Sequence, residues 1–275
     1  MFEIILYSLG FIVLFIATMT DIAWREVPDL LSYGFLSTII ALRLLYFLQS
    51  KDTTIILYGT YGFLLCFAIG MIMFYSGQWG GADAKILYGI GVLFGAPFTS
   101  LDDPLFIFLG SLLGAGAVYG ILYSLYLLMR HWKACKKPLI QLHALYWKLR
   151  FGSYGIVGML FIVGFIQGGV LGLLWALIGL FLLATTYLYI TIKVIEETVM
   201  VVEVPLSKVT EGDWIAKDVI VDGKKICGPS DLGIEEHQIA QLKRLHMEKV
   251  WVKYGIPFIP SFFIAYCVTI LINYL

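Results

Sequence analysis

The chain has 275 residues, of which 60% are apolar and 14% charged, against roughly 45 to 50% and about 25% in a soluble domain. That balance excludes an ordinary water-soluble protein and points to a chain that crosses a membrane several times. The formal net charge is zero and excludes little by itself; no nucleic-acid partner is expected, and what matters is where the charges fall.

A helix needs about 20 mostly apolar residues to cross roughly 30 Å of hydrocarbon. The pattern predicts spans near 3–20, 30–48, 54–75, 84–98, 104–129 and 256–274. The first run lacks a basic start and is followed by TDIAWRE rather than a small-residue cleavage site, so it is read as a retained helix. Ser153 to Thr191 carries no charge for 39 residues, about twice one crossing at about 1.5 Å per residue. Gln167-Gly168-Gly169 near its middle predicts a helical hairpin. Small residues at helical spacing, Gly91 and Gly95, Gly110 and Gly114, Gly116 and Gly120, predict close helix packing.

With the N-terminus outside, all but Arg43 and Lys51 of the 19 Lys and Arg residues fall on the cytoplasmic side. Among them is the cluster Arg130, Lys133, Lys136, Lys137, Lys148 and Arg150. Within it PLIQLHALYWKL has apolar residues at Leu139, Leu142, Leu145, Tyr146 and Leu149, with Trp132 and Trp147 nearby. This reads either as a helix lying in the membrane interface or as a solvated basic loop. Residues 194–255 form the one water-exposed region. VVEVPL and WIAKDVIV read as strands, Asp222-Gly223 as a hairpin turn into KKIC, IEEHQIAQLKRL as a short helix and KVWVKY as a last strand. Cys66, Cys135, Cys227 and Cys267 form no C-x-x-C pair, so neither disulfides nor a thiolate zinc site is expected.

The expected fold is thus an α-helical polytopic membrane protein of about eight spans, with a small cytoplasmic α+β domain inserted before the last helix. Its parts are a five-span core at 1–129, a basic interfacial segment at 130–152, a transmembrane hairpin at 153–193, the α+β domain at 194–255 and a last helix at 256–275.

Thr20-Asp21 follows sixteen uncharged residues, Ile4 to Met19, and Asp83 lies in SGQWGGADAKILYG. Two crossings separate them, so both reach one membrane face at similar depth. Asp83 could simply cap a helix. Asp21 is harder to explain structurally, because a helix C-terminus disfavours an anion. Asp29, after Pro28, reads as the cap of the second helix. Two carboxylates brought together can share one proton, so that one takes a proton from water while the other donates to a peptide carbonyl. That chemistry requires neither metal nor cofactor, and none is expected. Gly80-Gly81 would give the second motif conformational freedom and let an extended substrate pass close by.

TDIAWREVPD at the end of span one and GGADAK at the start of span four resemble the type IV prepilin peptidases of the GxGD aspartyl protease class. GIPFIPSF at 255–262 resembles their archaeal branch, which includes the prearchaellin (preflagellin) peptidases. The resemblance covers the first five spans and the end of the chain. It implies a membrane-embedded aspartic endopeptidase with Asp21 and Asp83 as its catalytic pair and Gly80, Gly81, Ala82 and Lys85 in the active-site loop. The implied substrate is a pilin- or archaellin-type precursor, cut at the cytoplasmic face of the cell membrane just before its apolar helix. Arg25 is a candidate substrate contact, as are Glu196, Glu197 and Glu203, whose acidity would suit a basic leader. Ala82 replaces the second Gly of the class motif, and the hairpin at 153–191 exceeds the six spans of the simplest archaeal members. The four-cysteine site of many bacterial homologues is absent, so their methylating activity is not carried over. Two other readings use the same aspartates: an ion- or proton-coupled transporter, and an intramembrane protease of the presenilin or signal peptide peptidase type. The latter carries a Pro-Ala-Leu motif, which this sequence lacks.

Overall fold

In the absence of water, a backbone must satisfy its own hydrogen bonds, and the long apolar runs do so as helices. The computed structural model describes residues 2–221 and 223–274, so Asp222 of the expected hairpin turn lies outside the described residues. Among the described residues six helices are long and apolar enough to cross a membrane, and with them the chain is a multi-pass helical membrane protein carrying a small α+β region. The described residues form two compact units. One comprises the chain up to Gly120, Ser230–Ile234 and the chain from Gly255 onward; the other comprises Ile121–Pro229 and Glu235–Tyr254.

The first unit contains α1 (Phe2–Trp24), α2 (Asp29–Ser50), α3 (Thr54–Tyr75), α4 (Gly81–Phe94), the first part of α5 (Pro104–Arg130) and the last helix, Ile259–Tyr274. Helix α4 is central: Ile86, Leu87, Ile90 and Leu93 have no more than 1% exposure, packed with Leu14, Phe35, Ile39 and Cys66. It meets α3 backbone to backbone. A Cβ on Gly62 would stand 2.1 Å from the Gly91 carbonyl oxygen, and one on Gly91 would stand 2.4 Å from that of Gly62. The packing expected of small residues therefore holds at Gly91, at Gly95 beside the Tyr58 backbone and at Gly116 against Phe258, whereas a Cβ at Gly110, Gly114 or Gly120 would meet nothing within 4 Å. Those three glycines follow helical spacing without lining a close contact.

Helix α4 has only 14 residues and stops at Gly95 (φ +71), short of the expected 98. The buried non-helical backbone beyond it needs partners at this depth. Ala96 donates its N–H to the Tyr58 carbonyl at 2.9 Å. Arg43, 9% exposed, donates to the carbonyls of Leu93 at 3.1 Å and Ile55 at 2.7 Å. A cation at a helix C-terminus also suits the dipole. Arg43, which charge counting left near the outer face, is thus a buried tie between α2, α3 and α4.

The second unit holds the rest of α5, then α6 (Trp132–Leu145), α7 (Trp147–Gln167) and α8 (Gly169–Ile195). Helices α7 and α8 turn at Gly168 and cross tightly, since a Cβ on Gly164 would lie 2.7 Å from the Gly172 carbonyl oxygen. The α+β region follows. Strand β1 (Val201–Pro205) pairs antiparallel with β4 (Lys249–Lys253), and β2 (Val219–Val221) with β3 (Lys224–Cys227). A short helix, α9 (Glu236–Arg244), precedes β4, and Ile259–Tyr274 becomes α10. The run WIAKDVIV, expected as one strand, splits: Ile215 bridges to Val252 on the free edge of β4, while its second half pairs with β3.

Candidate active site

Asp21 lies in the last turn of α1, which ends where Arg25 turns left-handed (φ 59) and returns its N–H to the Asp21 carbonyl at 2.9 Å. Its side chain is enclosed, with the residue 8% exposed, and its Oδ2 accepts the N–H of Ile259 at 3.0 Å. That N–H begins α10 and would otherwise be an orphan donor at a helix start. The anion that sits badly at the end of its own helix therefore sits well at the beginning of another, where the dipole favours negative charge. One side of the same helix pair is pinned further along by Tyr266, whose hydroxyl donates to the Tyr7 carbonyl at 2.7 Å.

Asp83 is the third residue of α4. Its Oδ2 accepts the N–H of Gly80 at 3.0 Å, so it does close the helix start, though from inside the first turn rather than as the cap itself. It is half-buried and near enough to Asp21 for the two charges to act on each other. Neither Gly80 nor Gly81 has positive φ, so conformational freedom does not explain them. What they provide is room: a Cβ on Gly80 would meet nothing nearer than the Asp83 carboxylate at 3.5 Å, and one on Gly81 nothing nearer than Phe74 at 3.8 Å. Ala82, partly buried, packs against the core.

Asp29 does not cap α2 with its side chain. It is the first residue of that helix, after Pro28, and pairs at 2.6 Å with Lys85, whose ammonium also lies 4.7 Å from the centre of the Tyr33 ring. The pairing joins the two Asp-bearing motifs through their other charged members. Trp79, just before the glycines, packs on Phe258 (5.7 Å) and Phe262 (5.5 Å), which flank Ile259. Sequence reasoning missed the roles of Trp79, Phe258 and the Ile259 N–H. The available signal was IPFIP, in which Pro257 and Pro260 lack an N–H and leave Phe258 and Ile259 between them as the donors at a helix start.

Arg25 is exposed at the end of α1, with its charge felt at Asp21. In the second unit, Glu196 pairs with Lys253, Glu197 approaches Lys193 at 3.9 Å and Glu203 approaches Lys249 at 3.5 Å. The three acids thus have cationic neighbours, which reduces the negative field expected of them.

Residues 8–130 match the type IV leader peptidase family. A preflagellin peptidase of Methanococcus voltae is 36% identical over 107 residues, 37% of this chain and 45% of the relative. One of Methanococcus maripaludis is 34% identical over 113 residues, 41% of this chain and 46% of the relative. The chain thus spans a little under half the length of the curated relatives it matches. No solved structure matches. The matched stretch, 8–130, contains both aspartates and the whole of α2 to α5, so what this chain shares with the type IV leader peptidase family is the part that carries the candidate site.

Proposed function

We propose that the protein is a membrane aspartic endopeptidase that removes the leader of a preflagellin- or prepilin-type precursor at the cytoplasmic face, with Asp21 and Asp83 as its catalytic pair. The observation that supports this reading is that two carboxylates far apart in sequence lie near enough for their charges to act on each other, each accepting an N–H at a helix start. The family match and the preflagellin peptidase names of two relatives support the substrate class. In the reaction the ionised carboxylate takes a proton from a water molecule, whose oxygen attacks the scissile carbonyl carbon. The protonated partner donates to the carbonyl oxygen, and collapse of the tetrahedral diol breaks the C–N bond as the leaving amine gains a proton. Because the pair shares its charge, its protonation belongs to both groups and not to either alone.

The test is co-expression with candidate precursors, read by a mobility shift and by N-terminal sequencing of the product. Cleavage by the wild type and none by Asp21→Asn or Asp83→Asn is the expected result. Normal cleavage by either variant would remove the pair from the mechanism.

A further inference from the structure

From Pro104 to Ile195 the chain contains no Asp or Glu, yet it carries seven of the 19 Lys and Arg residues. This stretch extends past the family-matched residues, which end at 130. One of the seven, Lys193, approaches Glu197 at 3.9 Å; among the described residues no carboxylate pairs with Arg130, Lys133, Lys136, Lys137, Lys148 or Arg150. The six lie together in the chain, at the end of α5, along α6 and in the first turn of α7, and thus at one end of the helices that cross the membrane.

Helix α6 separates its residues by face. Cys135 is buried with its Sγ 3.4 Å from the Thr198 hydroxyl, and Leu139 and Leu142 are half-buried on the same side. Lys133, Lys136 and Lys137 lie on the opposite, exposed arc, with Ile140 among them. The bulky apolar side chains nearby are exposed as well: Leu145 is 73% exposed, Trp147 52% and Phe151 63%. Arg150 is held in place by the His143 carbonyl at 3.1 Å and by the rings of Tyr154 and Tyr187, each about 6.0 Å away. Cations without counter-ions next to exposed aromatic and aliphatic side chains suit neither open water nor a protein core. They suit the headgroup layer, where aromatic rings sit at the boundary and anionic phosphates meet the cations.

We propose that α6 and the first turn of α7 bind anionic phospholipid headgroups, with Lys133, Lys136 and Lys137 as the main contacts and Arg150 as a fixed one. Charge complementarity selects the occupant: a zwitterionic headgroup offers no net charge to six unpaired cations. This inference stands apart from the peptidase reading, because its readout is lipid retention and not cleavage.

The experiment uses the full chain, delipidated in neutral detergent and titrated with phosphatidylglycerol, with phosphatidylcholine and, separately, with inorganic phosphate, bound lipid being counted by native mass spectrometry. Wild type is expected to retain phosphatidylglycerol well above phosphatidylcholine, with inorganic phosphate failing to displace it at equal concentration. Changing Lys133, Lys136 and Lys137 together to Gln should weaken phosphatidylglycerol retention about 100-fold, at about fivefold per charge near an anionic surface. The Lys→Arg triple variant should keep it, which separates lost charge from a disturbed fold. Equal retention of the two lipids by wild type, or unchanged retention in the Gln variant, would mean that these cations only set membrane orientation and would overturn the proposal.

Discussion

Asp21 has a structural contact and a proposed catalytic role, which substitution can separate. Its Oδ2 accepts the Ile259 N–H at 3.0 Å in a buried setting, so removing the acceptor strands a buried amide at the start of α10. Leaving such a donor unsatisfied costs about 1–3 kcal/mol. Asn offers a carbonyl oxygen in nearly the same place and should keep most of that stability, but it cannot exchange a proton. Asp21→Asn is therefore expected to unfold in detergent close to wild type while losing cleavage, by at least the roughly 10²–10⁴-fold that a positioned acid–base group contributes. Asp21→Ala should lose both. Thermal unfolding followed by tryptophan fluorescence gives the first quantity and a precursor gel-shift time course the second. If Asp21→Ala were as stable as wild type, the bond to α10 would carry no weight. If Asp21→Asn cleaved within tenfold of wild type, the acid–base role would fail.

Gly91→Ala should destabilise by about 1–3 kcal/mol, because the new Cβ would press on the Gly62 carbonyl and not on a movable side chain; Gly114→Ala, with open space around it, should be neutral or slightly stabilising in the same unfolding assay. Lys85→Glu and Asp29→Lys should each lower cleavage, and the double swap should restore part of it, while stability shifts by no more than about 0.5–1 kcal/mol because Asp29 is largely exposed; no recovery in the double variant would show that the pair does not align the two motifs. Cleavage should persist in EDTA, since two carboxylates that share a proton can activate water without a metal; inhibition reversed by added zinc would refute this. Changing Glu196, Glu197 and Glu203 together to Gln should slow cleavage at low ionic strength by no more than about threefold, because each acid already has a lysine beside it; a larger loss in a salt series would mean that these acids attract the leader directly.

The helices were legible because hydrophobic length sets them: α7 and α8 part at Gly168, within the Gln167-Gly168-Gly169 break that a doubled apolar run requires. Counting crossings led to the expectation that Asp21 and Asp83 reach one face, and their charges are near enough to act on each other. What the sequence did not disclose was the partner of each polar group. Asp29 after Pro28 looks like a cap, yet its partner is Lys85, 56 positions away. Arg43 looked like a charge at the outer rim, and its buried bonds to Ile55 and Leu93 depend on how α4 ends, which hydropathy does not report. Spacing alone could not tell Gly91, which touches another backbone, from Gly114, which touches nothing.

Helix α4 shows how such a site is held. A helix of 14 residues rises about 21 Å at 1.5 Å per residue, less than the hydrocarbon thickness, so its ends cannot both reach water and each needs a partner of the right sign. Arg43 meets its C-terminal carbonyls, where a cation is favoured, and Asp83 lies in its first turn, where an anion is favoured. Asp21 obeys the same rule one helix over, at the start of α10. Each carboxylate thus accepts a backbone N–H at a helix start. An ion pair with a fixed cation would hold a carboxylate in its charged form, whereas a backbone N–H steadies its position without adding a full positive charge. Such anchoring is what the proposed proton exchange between Asp21 and Asp83 would require.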